Sequence, residues 1–117
     1  MRVLVCGDRN WPDKDAIRRE LSKLEPGTTL IHGGARGADR LSGIVAEELG
    51  IKVDKVYYAN WPKYGRSAGP IRNQEMLTLG KPNLVLAFHP NLSQSKGTKD
   101  MVERATRAGV PVKLFTS

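Results

Sequence analysis

The chain alternates between short apolar blocks and longer blocks in which apolar residues recur every three or four positions. Arg2–Cys6 (RVLVC) is β-branched, continuous and stopped by Gly7, as a strand buried on both faces would be. Asp13–Leu24 places Ile17, Leu21 and Leu24 at i, i+4 and i+7. That spacing is one face of a helix, with Asp13 or Asp15 as its cap and Pro26-Gly27 past its end. Thr28–His32 predicts a second strand. Gly37–Leu49 predicts a helix with Leu41, Ile44, Val45 and Leu49 on its inner side and Gly50 as its stop. Lys52–Tyr57 alternates between apolar and polar residues, the pattern of an edge strand.

Residues 58–69 have no period and predict an irregular loop rich in turn formers and aromatics. Pro70 suits the first position of a helix that turns Ile71, Met76 and Leu77 inward and ends near Gly80. Asn83–Phe88 is the most apolar strand and is expected at the centre of the sheet. After the polar loop Asn91–Gly97, the segment Thr98–Ala108 predicts a helix with Met101, Val102 and Ala105 as its stripe. Val110–Phe115 predicts the last strand. Strands alternating with helices of this length form a parallel sheet covered on both faces. Right-handed crossovers then give a doubly wound, three-layer α/β sandwich with five strands, expected in the order 3-2-1-4-5.

Composition narrows the picture. The 117 residues suit one domain, residues 1–117, without repeats or linkers. One cysteine, Cys6, leaves no internal disulfide and no Cys-built zinc site, and a reducing, cytosolic-type compartment is the default. The longest apolar run, Leu84 to Phe88, is far too short to span a membrane, and the start turns at Gly7 too early for a signal peptide. The net charge of +7 is uneven. Residues 1–58 hold 10 Lys/Arg against 9 Asp/Glu, and residues 59–117 hold 9 against 3. Such a surplus suits a phosphorylated ligand, a nucleic acid or a solvated surface. The basic half has no run of Lys/Arg interleaved with aromatics, so the solvated surface is preferred to a nucleic-acid track.

Ligands of doubly wound sheets sit beyond the strand carboxyl ends, at the point where strand order reverses. Three segments fall there. Gly33-Gly34-Ala35-Arg36-Gly37 follows a strand and opens a helix, so its glycines let backbone N–H groups turn toward a phosphate while Arg36 adds charge. It matches neither the Walker pattern nor Gly-x-Gly-x-x-Gly. Asp39 either caps the helix or bonds a ribose hydroxyl. Ser95-Lys96-Gly97-Thr98 repeats the device, with Thr98 as cap and with Gly97 N–H and Lys96 facing an anion. Gly7-Asp8-Arg9 ends a buried strand, placing Asp8 for a sugar and Arg9 for a phosphate. Arg72, Asn73 and Glu75 open the third long helix, and Trp61 and Tyr64 either anchor the loop before it or stack on a ring. His32 and His89 each end a strand, as buried residues or ligand contacts, and supply no recognised metal spacing. Cys6 is expected in the core rather than as a nucleophile.

Gly7-Asp8-Arg9, His32-Gly33-Gly34-Ala35-Arg36-Gly37-Ala38-Asp39, Gly69-Pro70-Ile71-Arg72-Asn73-Gln74-Glu75-Met76 and Gly97-Thr98 together closely resemble the SLOG superfamily. Within it they are similar to the YspA/cpYpsA-related branch of small bacterial and phage-borne proteins. The resemblance implies a Rossmann-like domain that binds a phosphorylated nucleoside or an NAD- or ADP-ribose-derived molecule, with no cofactor required. Relatives include the LOG phosphoribohydrolases, sensor domains for NAD-derived signals, and the DNA-processing protein DprA. These imply, in turn, cleavage of an N-glycosidic bond or binding of single-stranded nucleic acid as alternatives, and they admit a homo-oligomer.

The LOG pattern Arg-Lys-x-x-Met is matched by Arg72 and Met76, with Asn73 in place of Lys. Its Gly-Gly-x-Gly-Thr-x-x-Glu loop is matched at Gly97 and Thr98, but Met101 stands at the Glu position. A carboxylate there would stabilise the positive charge that builds on the sugar during cleavage. Asp100 is about 100° around the helix and is expected to face elsewhere. Asp8, Asp39 or Glu75 is the expected substitute, with Arg72 and Glu75 as catalytic candidates.

Overall fold

The computed structural model describes residues 1–117. Five strands, β1 (Arg2–Gly7), β2 (Thr29–Ile31), β3 (Lys52–Val53), β4 (Leu84–Phe88) and β5 (Val112–Phe115), form one sheet in the order β3-β2-β1-β4-β5. Every pairing is parallel, and the longest ladder runs from Val3 opposite Leu84 to Gly7 opposite Phe88. The helices are α1 (Lys14–Leu21), α2 (Ala38–Leu49), α3 (Trp61–Tyr64), α4 (Ala68–Thr78) and α5 (Gly97–Arg107).

The period of two along β1 and β4 builds both halves of the core. Val3, Val5, Leu84, Leu86 and Phe88 point to one face, where they pack with Trp11 and Ile17 and with Val45 of α2. Leu4, Cys6, Val85 and Ala87 point to the other, against Met76 of α4 and Met101 and Ala105 of α5. The chain runs outward from β1 to β3 and returns to β4, so the sheet's switch point lies between β1 and β4.

Some elements differ from their sequence patterns. The Asp13 carboxylate accepts the Ala16 N–H at 3.0 Å and so is the cap of α1, while Asp15 lies in the first turn. In α2 the buried residues are Ala38, Asp39, Ser42, Val45 and Ala46, whereas Ile44 and Leu49 are exposed. Small side chains let the helix approach the sheet closely, and this outweighs the hydrophobicity of its larger residues. The strand expected over Lys52–Tyr57 keeps ladder geometry only at Lys52–Val53. Beyond it, Asp54 and Tyr57 still donate N–H bonds to the Leu30 and His32 carbonyls, at 2.9 and 3.1 Å. The irregular segment 58–69 contains α3, a single 3-10 turn and the start of α4, so Pro70 is the third helical residue rather than the first.

Candidate functional site

A crevice of about 790 Å³ opens at the carboxyl ends of β1 and β4, where the topology places ligands. Its floor begins at Gly7. A Cβ there would sit 2.7 Å from the Ala38 Cβ and against the Phe88 carbonyl, so only glycine lets β1, β4 and the start of α2 converge. The chain then turns at Asp8, whose Oδ1 accepts the Asn10 N–H at 3.0 Å. The Asp8 carbonyl accepts the Ala38 N–H at 3.2 Å, tying this turn to α2. Gly37, at φ 82°, passes directly over the Asp8 and Arg9 backbone, where no Cβ fits.

The glycine loop is not an open nest. Asp39 is buried, and its Oδ2 accepts the N–H groups of Gly33 and Ala35 at 3.1 and 3.2 Å. The Gly34 N–H donates to Nδ1 of buried His32 at 3.0 Å. Three of the loop amides expected to face a phosphate are thus satisfied internally, and Asp39 acts as the loop's own anion. Burial pushes the Asp39 carboxyl up from 3.8 to about 6, although the Arg72 charge and the two amide bonds pull it down. Burial likewise lowers the His32 pKa, which keeps that ring neutral and its Nδ1 free to accept. The Arg36 and Gly37 amides have no partner in the chain and remain available at the mouth of α2.

Arg72 and Asn73 connect the glycine loop after β2 with the start of α5. Arg72 Nη1 donates to the Gly33 carbonyl at 2.7 Å, and its Nε donates to Asn73 Oδ1 at 3.1 Å. Asn73 is buried, and its Nδ2 donates to Asp100 Oδ2 at 3.0 Å and to the Gly97 carbonyl at 3.3 Å. Arg104 closes the network with a 2.8 Å ion pair to Asp100. Contrary to the helical-wheel expectation, Asp100 lines the crevice beside Met101. Thr98 is not the cap of α5. It is buried, and its N–H donates to Ser95 Oγ at 3.0 Å. The Lys96 and Gly97 amides are unpartnered.

Charge is concentrated here. Arg9, Arg36, Arg66, Arg72 and Lys96 line the crevice, facing Asp8, Asp39 and Asp100. None of these five cations takes part in any of the six ion pairs of the fold. Arg36 is held toward the mouth by its bonds to the Arg9 carbonyl and to Asn10 Oδ1, both 3.3 Å.

Of the sequence-selected residues, Gly7, Asp8, Arg9, Ala35, Arg36, Asp39, Arg72, Asn73, Gly97 and Thr98 line the crevice. Gly33, Gly34 and Gly37 stand behind its wall and shape the turn. Glu75 lies outside it, on an exposed groove with Gln74 and Thr78, because it is 60° or more from Arg72, Asn73 and Met76 around α4. Arg66, Lys96, His89 and Asp100 also line the crevice. Lys96 belongs to the Ser95-Lys96-Gly97-Thr98 segment, His89 to a strand end and Arg66 to the cluster before α4, whereas Asp100 was expected to face elsewhere. Trp61 lies at the crevice wall, half exposed, rather than in the core. Cys6 is buried, and burial raises its thiol pKa, consistent with a core role. No group of three His, Cys, Asp or Glu side chains is placed to hold a metal ion, and no helix is long and apolar enough to cross a membrane.

Comparison with known proteins follows the same lines. The family model YAcAr, described as the YspA, cpYpsA-related SLOG family, matches residues 1–64. The Gene 61 protein of Mycobacterium phage D29 is 37% identical over 97% of this chain and 95% of its own length. Among solved structures, DNA processing protein A (DprA) from Streptococcus pneumoniae superposes with a TM-score of 0.77 at 18% identity. That superposition covers 97% of this chain but 49% of DprA, so this chain spans about half of DprA's length and shares its fold.

Proposed function

The chain belongs to the YspA, cpYpsA-related SLOG family, and from that premise we propose that its crevice binds a phosphorylated nucleoside or an NAD- or ADP-ribose-derived small molecule. The observation that carries this reading is the set of five crevice cations left without ion-pair partners. Unpaired cations at the mouths of two helices attract phosphate through charge and through the unpartnered amides of Arg36, Gly37, Lys96 and Gly97. Asp8, with one oxygen engaged by the Asn10 amide, is placed to accept a ribose hydroxyl. Asp39 and Arg72 serve differently, holding the Gly33 peptide from both of its polar ends.

Isothermal calorimetry with AMP, ADP-ribose and NAD tests the proposal on the wild type and on the Arg36→Ala and Lys96→Ala variants. Binding of at least one ligand, weakened on the order of tenfold in each variant, is expected for loss of a charge-assisted contact. No binding by any of the three, or affinities indifferent to both substitutions, refutes it. A steep fall of oligonucleotide affinity with salt, without mononucleotide binding, would instead favour single-stranded nucleic acid.

A second reading, N-glycosidic cleavage, is favoured by one observation. Asp100 brings a carboxylate to the crevice wall beside Met101, within reach of the Arg72–Asn73 pair. It requires release of free base from a nucleotide, abolished by Asp100→Asn. Absence of turnover across nucleoside monophosphates and NAD derivatives refutes it.

A further inference from the structure

The crevice wall holds an aromatic ring that the fold covers only in part. Trp61 is 46% exposed, a large apolar surface to leave in water. It opens α3, which Asn60 fixes by accepting the Lys63 N–H at 3.2 Å, so the ring's position is set locally. Its outer edge lies over Gly69, where an added Cβ would stand 3.4 Å from Cη2. The indole N–H donates to no group in the chain, whereas the indole of Trp11 is buried and donates to the Asp13 carbonyl at 2.9 Å. The Arg9 guanidinium lies over the Trp61 ring, 5.7 Å from its centroid, and both line the crevice.

Resting on the ligand reading above, we infer that Trp61 is the residue that reads the base. The ligand's aromatic ring stacks at the Trp61–Arg9 wall, and its phosphates lie toward Arg36 and the starts of α2 and α5. An exposed indole paired with a guanidinium offers a flat, polarisable surface whose value to a ligand is stacking, which a sugar phosphate cannot use. The specificity that follows is for a phosphorylated nucleoside over the same phosphate and sugar without a base.

The test compares AMP with ribose 5-phosphate by calorimetry, on the wild type and on the Trp61→Ala variant, with intrinsic fluorescence in parallel. The wild type is expected to prefer AMP on the order of tenfold, the scale of one base stacked on an aromatic side chain. Trp61→Ala should remove that preference while leaving ribose 5-phosphate affinity unchanged. AMP should quench wild-type fluorescence but not the remaining Trp11 signal of the variant. Equal affinity for the two ligands in the wild type overturns the inference while leaving the phosphate site intact. So does equal weakening of both in the variant. Failure of both ligands to bind removes the site itself and the inference with it. Trp61-dependent binding of a single-stranded oligonucleotide that far exceeds AMP overturns the mononucleotide assignment.

Discussion

Replacing Asp39 by Asn should stabilise the protein at pH 8, although Asp39 faces a nearby arginine and accepts two hydrogen bonds. Both loop amides converge on one carboxylate oxygen, Oδ2, so an Asn side-chain carbonyl in that place retains both bonds. Only the charge is removed. Burial raises the carboxyl from 3.8 to about 6, which means that desolvation outweighs the help from Arg72 and the amides. The sign follows from proton uptake. Between those values the folded state holds a proton that the unfolded state has lost, so stability is full below about pH 4 and falls as pH rises to 6. At about 1.4 kcal/mol per pH unit, the loss is about 3 kcal/mol, order of magnitude. Asp39→Asn should therefore be more stable than wild type at pH 8 by up to about 3 kcal/mol, with the advantage vanishing near pH 4.

Urea unfolding followed by circular dichroism, repeated from pH 4 to 8, measures this as the difference between the two proteins. The difference matters because other groups shape the raw curve. His32 is held below its ordinary pKa, so its contribution is present above 6.5 and lost as pH falls. Asp54, lowered chiefly by its bond from Arg2, loses its contribution in acid as well. Both cancel in the comparison. Asp39→Ala is the control: it also removes the charge but orphans the Gly33 and Ala35 amides, so it should be less stable than Asp39→Asn at every pH, by about 1–3 kcal/mol for the buried Gly33 donor alone. The reasoning is refuted if Asp39→Asn is the less stable protein at pH 8, or if its difference from wild type is the same at pH 4 and pH 8.

Three further outcomes follow from the geometry. Gly7→Ala should lower stability by about 1–3 kcal/mol through overpacking between β4 and α2, and an unchanged melting temperature would contradict the close approach. Asn73→Ala should cost about 1–3 kcal/mol and speed amide exchange in the first turn of α5, because Asp100 and the Gly97 carbonyl lose a shared donor. Unaltered exchange there would mean that Asn73 does not fasten α5. Glu75→Gln should change neither ligand affinity nor stability by more than about 0.5 kcal/mol, since the side chain is exposed on the groove outside the crevice. A loss of binding would return Glu75 to the site.

The sheet was legible because its signals are local and redundant. Each strand is an apolar block ended by a turn former, and parallel strands joined by helices leave few orders to choose from. The crevice was legible for the same reason, since topology places it and the segments at strand ends supply its walls. Details decided by close packing were not. The inner face of α2 belongs to Ala38, Ser42 and Ala46, which no hydrophobicity ranking selects over Ile44 and Leu49. Glu75 was grouped with Arg72 and Asn73 by proximity along the chain, and its angle around α4 turns it onto the outer groove instead. Asp100 was misjudged from its angle alone. That angle from Met101 is real, yet Asp100 still lines the crevice, where its carboxylate accepts the Asn73 Nδ2–H.

The glycine loop and the net charge exchange their weight once these contacts are known. Gly33–Gly37 has the pattern of a phosphate nest, but a buried carboxylate two residues into the next helix already occupies it. Its glycines serve the tight crossing over Asp8 and the approach of Arg72 to Gly33. Attraction for an anion then falls to side-chain charge and to the few amides left open. Residues 59–117 hold nine bases and three acids, so most of those bases cannot find partners within their own half. Of the three acids only Asp100 forms an ion pair, with Arg104. Arg66, Arg72 and Lys96 remain unpaired, and the fold carries all three to the switch point beside Arg9 and Arg36. The charge excess therefore does more than solvate a surface. Part of it is a set of cations that form no direct ion pair and outnumber Asp8, Asp39 and Asp100 at one crevice, a local positive excess of the kind that attracts anions.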